Sequence, residues 1–284
     1  MKLEKFTHIG EKSPKTPPIM CEDRLFSGKN MIAVIDGATS TTGIKINGLT
    51  DGAYIAEYFV RRLNDFTDNE STAKDILSQI NREFGQHLKN DHPTVHALGK
   101  NGPTASAVLV KFTNDNFYTF AQVGDCMLIE ENDGQYSELT KDNRHDDDQM
   151  YIQKAWKMAK EQNKSILEIR QSQEIIQDII NHRLQSNVTT GCFNGDPCMD
   201  TFITHGKRPI EKSLNLTLMS DGMAHPEFPV NQSYIQASKL MLINDIDDYY
   251  KTMKKIYDTD IDFKNLKYSR FKHIDDASAI IARL

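Results

Sequence analysis

Residues 31–37 are Met-Ile-Ala-Val-Ile-Asp-Gly, an apolar and β-branched run that ends in Asp36-Gly37. This pattern predicts a buried strand that enters a turn. Two other short apolar runs also adjoin acidic residues, namely 214–219 before Ser220-Asp221-Gly222 and 277–281 after Asp275-Asp276. A carboxylate at the tip of a buried strand is costly unless a cation neutralises it. Because Mg2+ and Mn2+ prefer oxygen ligands, the pattern predicts a site for one of these cations.

A further acidic pair, Glu22-Asp23, precedes the first of these strands. Carboxylate-bound pairs of divalent ions are well suited to phosphoester hydrolysis, which is therefore the leading functional hypothesis. The sequence contains no Gly-x-x-x-x-Gly-Lys-Ser/Thr or Gly-x-Gly-x-x-Gly motif, so a nucleotide-binding fold is disfavoured.

The chain has 284 residues, enough for one large domain or two small ones with a sizeable core. Its hydrophobic fraction of 38%, charged fraction of 26% and net charge of -6 are ordinary for a globular protein and indicate no nucleic-acid surface. No apolar run approaches the roughly 20 residues of a membrane helix. The charged start of the chain does not resemble a signal peptide, and the four cysteines form no Cys-x-x-Cys pair. We therefore expect a cytoplasmic protein with no nucleic-acid or membrane partner.

Hydrophobic periodicity divides the chain into two groups of strands, each accompanied by helices. Period-3.6 patterns predict helices at 51–64 and 71–88, a polar helical stretch at 142–185, and one or two helices at 231–258. Short β-branched runs predict strands at 31–35, 104–112, 117–123, 127–130, 135–139, 199–204, 214–219 and 277–284. The short connections between 104 and 139 indicate an antiparallel meander. The arrangement predicts an α+β fold with stacked layers rather than a parallel sheet.

The order of the acidic motifs resembles that of the PPM-type, metal-dependent protein phosphatases, the type 2C family. The motifs are Cys-Glu-Asp-Arg at 21–24, Val-Ile-Asp-Gly-Ala at 34–38, Gly-Pro-Thr-Ala-Ser-Ala at 102–107, Gln-Val-Gly-Asp-Cys at 122–126, Glu-Leu-Thr at 138–140, Leu-Met-Ser-Asp-Gly-Met at 218–223 and Asp-Asp-Ala-Ser-Ala-Ile-Ile at 275–281. Each motif alone is weak. Their shared order from residue 21 to the end of the chain is hard to obtain by chance.

The resemblance implies a four-layer α/β/β/α sandwich, in which two antiparallel sheets pack face to face and helices flank them. It implies a single phosphatase-like domain at 1–284, with a helical insertion at 141–200 that forms a mobile flap beside the metal cleft. We refer to residues 141–200 as the flap segment. Residues 186–193 resemble the family's segment that follows the flap.

The resemblance also implies a site for two Mg2+ or Mn2+ ions, with a third, weaker ion. The implied metal ligands are Glu22, Asp23, Asp36, Gly37 through its carbonyl, Asp125, Asp221 and Asp276, and the implied catalytic residues are Asp36 and Asp221. Asp36 would bridge the two ions, Glu22 and Asp23 would act largely through water, and Asp125 would serve the third ion. Asp275 is the alternative to Asp276. The ions would activate a bridging water that attacks phosphorus in line.

The implied activity is hydrolysis of phosphoserine and phosphothreonine in a phosphoprotein substrate. Two departures keep other functions open. Ala38 stands where many members have a His, and Pro18 stands where the family has a phosphate-binding Arg, which Lys15 or Arg24 would have to replace. The alternatives are a non-catalytic pseudophosphatase that acts as a binding or regulatory module, and a phosphohydrolase for a small metabolite. The oligomeric state does not follow from the sequence.

Overall fold

The computed structural model describes residues 1–11, 20–68, 70–260, 268 and 270–284, without the side chains of 146–148 and 230. The strands are β1 (Lys2–His8), β2 (Arg24–Ser27), β3 (Met31–Gly37), β4 (Lys45–Ile46), β5 (Leu49–Thr50), β6 (Ala105–Phe112), β7 (Phe117–Val123), β8 (Met127–Asn132), β9 (Gln135–Glu138), β10 (Thr204–Pro209), β11 (Asn215–Met219) and β12 (Ala277–Arg283). The α-helices are α1 (Asp51–Asp65), α2 (Ala73–Asp91), α3 (Pro93–His96), α4 (His145–Gln162), α5 (Ile166–Arg170), α6 (Gln173–Arg183), α7 (Val230–Ile243) and α8 (Ile246–Asp258). Pro18 and Lys15 lie outside the described residues.

Ten of the strands form two five-stranded sheets. The first sheet has the order β1-β12-β11-β8-β9, and the second has the order β10-β7-β6-β3-β2. All pairings within both sheets are antiparallel. Strands β4 and β5 form a small hairpin of their own. The predicted α+β class, with two antiparallel sheets flanked by helices, is confirmed.

Three apolar clusters hold four layers together. The cluster between the sheets joins Ile32, Val34 and Val108 of the second sheet to Leu128, Leu218 and Ile280 of the first. Outside the second sheet, Ala33, Ile35 and Leu109 contact Ile55, Phe59, Ile76 and Phe84 of α1 and α2. Outside the first sheet, Ile129, Met219 and Ile281 contact Tyr234, Met241, Tyr249 and Met253 of α7 and α8. Successive residues of a strand face opposite sides, so β3 is apolar throughout because both of its faces are buried.

The helices begin where the sequence places good caps. Thr50 accepts a hydrogen bond from Ala53 N at 3.2 Å and starts α1. Thr72 and Asp75 form a capping box at the start of α2, in which each side chain accepts from the other's backbone N–H. The predicted helices at 51–64 and 71–88 are therefore confirmed to within a few residues.

One strand prediction is wrong. Residues 199–204 do not form a strand, because Pro197–Phe202 is a 3-10 helix whose first turn is capped by Asp196 Oδ1, which accepts from Cys198 N at 2.9 Å. The strand begins only at Thr204 and continues as β10. Strands β1 and β2 were not predicted at all.

Helices α4 to α6 contain the apolar cluster Ala155, Met158, Ile166, Ile169 and Ile175, which is separate from the three clusters of the sandwich. The predicted helical stretch at 142–185 is confirmed. The division into one domain with an inserted flap segment stays a prediction. Among the described residues, no helix combines the length and apolarity that a membrane span requires.

Candidate metal centre

Asp36 lies near the end of β3 in the second sheet, opposite Ser106 of β6. The next residue, Gly37, packs tightly against the start of α1. A Cβ atom at position 37 would lie 2.2 Å from the carbonyl oxygen of Gly52, so only glycine fits there. Gly37 N also donates to the carbonyl of Glu22 at 3.2 Å. These backbone contacts fix the position of Asp36.

Three more acidic residues reach the same place from other connections. Asp221 follows β11, and Asp275 precedes β12, the neighbour of β11 in the first sheet. Asp125 lies in the turn between β7 of the second sheet and β8 of the first. With Asp36 and Gly37 they line a cleft of about 640 Å³. Asp36 and Asp221 are close enough to share a hydrogen bond.

These carboxylates are buried or partly buried and repel one another. Burial raises the pKa of Asp36 well above its ordinary value, and the charges of Asp23, Asp221 and Asp125 raise it further. Burial likewise raises the pKa of Asp221, with added repulsion from Asp275. The pKa of Asp23 rises to about 7, through burial first and then through the charge of Asp276. A cation would relieve this repulsion and so favour the ionised carboxylates.

Glu22 and Asp23 lie behind the cleft lining, held by hydroxyl groups. Thr50 Oγ1 donates to Glu22 Oε1 at 2.6 Å, and Ser220 Oγ donates to Asp23 Oδ2 at 2.8 Å. Burial raises the pKa of Glu22. The expected role of both residues, which is to act through water, stays a prediction.

Asp275 and Asp276 face different partners. Both oxygens of Asp276 accept from backbone N–H groups, those of Gly10 and Glu22, each at 2.6 Å. Asp275 lines the cleft, and its Oδ1 accepts from Lys272 Nζ and from Asp276 N. The geometry therefore favours Asp275, the alternative ligand, over Asp276. A metal role for Asp276 stays a prediction.

The chemistry of the donor set fits a hard divalent cation. Every side chain in it offers carboxylate oxygens, and two of these, Asp23 Oδ1 and Asp125 Oδ1, are buried with no hydrogen-bond partner among the described residues. Among the same residues, no group of three or more His, Cys, Asp or Glu side chains is already placed to coordinate a metal ion. The residues therefore fit a metal ion by the type of their donor atoms and by their mutually repelling negative charges. They do not form a complete coordination sphere.

The sequence prediction missed the cations that surround the acidic residues. Arg144, Arg170 and Arg183 of the flap segment and Lys272 line the same cleft. No motif marks them. The sequence offers only an indirect signal: Pro18 stands where the resemblance places an arginine, so an expected phosphate-binding cation would have to come from another segment. Arg24, one of the two predicted substitutes, instead donates to Glu57 and to the carbonyls of Cys21 and Asp23.

Residues 18–259 match the family model for Protein phosphatase 2C. The serine/threonine phosphatase PstP/Ppp of Mycobacterium tuberculosis is similar in structure, with a TM-score of 0.57 and 13% identity over 100% of this chain and 98% of that chain. The catalytic domain of a serine/threonine protein phosphatase PstP in complex with 2 manganese ions gives a TM-score of 0.56 at 12% identity, over 99% and 97% of the two chains. PppA of Pseudomonas aeruginosa gives 0.56 at 13% identity, over 100% and 97%. No curated protein sequence matches the chain.

Proposed function

Because the chain belongs to the protein phosphatase 2C family, we propose that it is a metal-dependent phosphatase that hydrolyses phosphoserine and phosphothreonine in proteins. The observation that carries the proposal is the meeting of Asp36, Asp125, Asp221 and Asp275 in one cleft, from both sheets. The similar protein of Mycobacterium tuberculosis is a serine/threonine phosphatase, and the similar PstP catalytic domain is in complex with 2 manganese ions.

Asp36 and Asp221 would hold the ions directly, assisted by the carbonyl of Gly37, and Asp125 and Asp275 would complete the set. When bound, Mg2+ or Mn2+ ions supply an acidified water and the positive charge that phosphoester hydrolysis needs. The chain's own groups prepare the site. Ser220 orients Asp23 by its hydrogen bond.

The flap segment would cover one side of this cleft and limit the access of water and substrate. The cleft is lined by Tyr151 and Ile152 of α4 and by Ile176 and Ile179 of α6, as well as by the acidic residues. An apolar wall of this kind strengthens the electrostatic interactions of the residues that it covers. We propose that residues 141–200 act as the flap of a single phosphatase domain.

The test is hydrolysis of an aryl phosphate and of a phosphothreonine peptide, each with Mn2+ and with excess chelator. We expect turnover only with the metal. Asp36→Asn and Asp221→Asn should each lower turnover by roughly 100-fold or more, because each removes a negative ligand of the ions. Asp247→Asn, which changes an exposed carboxylate of α8, is the matched control and should behave like the unaltered protein.

The outcomes separate the three functions. Robust turnover in chelator would contradict metal dependence. Absence of turnover together with absence of Mn2+ binding in calorimetry would identify a pseudophosphatase. Hydrolysis of small phosphate esters without hydrolysis of the peptide would identify a metabolite phosphohydrolase.

A further inference from the structure

A phosphorylated substrate brings up to about two negative charges into this cleft. Ions bound to the acidic residues would offset their repulsion of such a group, and cations of the chain that line the cleft would orient it. Arg24 is tied to Glu57 and to backbone carbonyls. The cations that face the cleft come mainly from the flap segment.

Arg144 lies directly before α4, at the edge of the acidic cluster. Its Nε atom is 3.7 Å from Asp125 Oδ2, and its side chain is only 17% exposed. The separation is that of an ion pair rather than of a hydrogen bond. The guanidinium therefore stands beside the metal centre in a setting that strengthens its charge interactions.

Arg183 is the last residue of α6 and lines the same cleft. It is buried, and it donates to Thr41 Oγ1 at 3.2 Å and to the carbonyl of Thr39. Both threonines belong to the loop that follows Asp36 and Gly37. The guanidinium of Arg183 is thus anchored beside the tip of β3.

The two guanidinium groups are near each other and repel. Burial lowers the pKa of Arg183, and the charge of Arg144 lowers it further. Asp125 beside Arg144 and the charge of Asp51 near Arg183 offset part of this repulsion, and an anion that contacts both guanidinium groups would offset more of it. A phosphoryl group has the charge and the several oxygens to do so, since guanidinium groups bind phosphate oxygens in pairs.

We propose that Arg144 and Arg183 form the binding site for the phosphoryl group of the substrate, so that the flap segment supplies the contact that the position of Pro18 cannot. This inference rests on the proposed function. Three other cations of the cleft have different contacts, and one of them, Arg270, pairs with Asp260. Lys272 pairs with Asp275, and Arg170 donates to the carbonyl of Phe271 at 3.3 Å and lies over its ring. The proposed pair lies at the two ends of the α4 to α6 region. Arg144 precedes α4, Arg183 ends α6, and both line the cleft.

The experiment measures binding of inorganic phosphate to the full chain loaded with Mn2+, by calorimetry, and its inhibition of aryl phosphate hydrolysis. Arg144→Gln and Arg183→Gln should each raise the dissociation constant for phosphate by roughly 10-fold or more. The KM for a phosphothreonine peptide should rise in parallel, while kcat changes less. Arg144→Lys should recover part of the affinity, because lysine keeps the charge without the paired donors.

Lys157→Gln is the matched control. It removes one positive charge from an exposed position of α4, so phosphate binding and KM should not change. Since Arg183 is buried, the melting temperature of each variant is measured. Arg144→Gln provides a second test that does not disturb the Thr39 and Thr41 contacts.

Phosphate binding that is weakened in both arginine variants, with unchanged binding in Lys157→Gln, supports the pair. Folded Arg144→Gln and Arg183→Gln proteins that bind phosphate as tightly as the unaltered chain would overturn it, even if that chain is an active phosphatase. An unaltered chain that binds phosphate through the pair but turns over no phosphate ester would contradict the proposed function and leave the pair supported. An Mn2+-loaded chain that binds no phosphate would overturn the pair as well.

Discussion

Asp275 and Asp276 show how adjacent residues of one type can have different roles. The two side chains of consecutive residues near a strand point in different directions, so they meet different surroundings. Asp276 points to the backbone of Gly10 and Glu22, whereas Asp275 points into the cleft toward Lys272. The sequence alone predicted an acidic ligand at this place but ranked the two residues in the order that the geometry does not favour.

Exchanging each residue for asparagine distinguishes the two roles. Asp275→Asn should weaken Mn2+ binding by roughly 10-fold or more, because it removes a charged oxygen donor. Asp276→Asn should instead lower the free energy of unfolding by about 1–3 kcal/mol, because one of the two buried N–H groups loses its acceptor. Calorimetry with Mn2+ and urea denaturation measure the two effects. A stable Asp276→Asn protein that no longer binds Mn2+ would show the reverse assignment.

Gly37 illustrates a position that backbone packing decides. Replacement by alanine would place Cβ 2.2 Å from the Gly52 carbonyl oxygen and 2.9 Å from that of Glu22. Because both neighbours are backbone atoms, β3 or α1 must move, and the free energy of unfolding should fall by about 1–3 kcal/mol or more. Gly134→Asn is the control, since this loop position has open space and asparagine tolerates its φ of 80°. Equal stability of both variants in urea would argue against the tight contact.

At the scale of elements, burial on both faces decided which strands the sequence revealed. Strands β3, β6, β11 and β12 lie inside their sheets and consist mostly of apolar residues. The edge strands are β1, β2, β9 and β10, where charged residues interrupt the pattern, and among them only β9 was predicted over its length. Charged side chains on edge strands oppose pairing with other chains. The same charged residues interrupt the apolar pattern from which a strand is predicted.

The site residues that could be predicted are those next to strands that the sequence reveals. The acidic residues follow or precede recognisable strands, so their convergence could be expected from the order of the motifs. Arg144 and Arg183 lie at helix ends of the flap segment, and their approach to the cleft depends on how α4 to α6 pack. That packing has no counterpart in the spacing of residues along the sequence.

The flap segment has its own apolar cluster, and this makes its stability separable from that of the sandwich. Ile175 is fully buried in the cluster. Ile175→Ala should remove about 2–5 kcal/mol from the local stability of α4 to α6, and hydrogen exchange there should become faster. Exchange in β3, β6, β11 and β12 should stay slow. Ile176→Ala, one residue further at a 37% exposed position, is the control and should change exchange little. Faster exchange throughout the sandwich would show that the two regions unfold together.

On the scale of the whole molecule, folding gathers negative charge where the two sheets meet. The second sheet contributes Asp36, the first contributes Asp221 and Asp275, and Asp125 lies on the connection between the sheets. The apolar clusters stabilise the sandwich, and part of that stability offsets the repulsion in the cleft. The protein is thus expected to be more stable when protons or metal ions neutralise this charge.

The metal-free protein should become less stable as the pH rises. Asp23 has a pKa of about 7 in the folded chain, against an ordinary value of 3.8, and the pKa values of Asp36 and Asp221 are also raised. The folded state therefore retains protons that the unfolded state releases near pH 4. The stabilisation is complete below about pH 4 and is lost as the pH rises toward 7, with a slope of up to about 1.4 kcal/mol per pH unit for each group.

Urea denaturation between pH 4.5 and 7 measures this decline. This pH range lies above the titration of the aspartates whose pKa values are lowered in the folded chain. Asp75 and Asp258 have lowered pKa values, so their contributions are lost only as the pH falls below about 4. Asp23→Asn should flatten the decline, because the neutral side chain has no proton to release. Saturating Mn2+ should remove most of it, since the ions replace the protons and bind more tightly as the pH rises. A metal-free protein that becomes steadily more stable from pH 4.5 to 7 would mean that the carboxylates are not held together in the folded chain, and the metal centre would lose its physical basis.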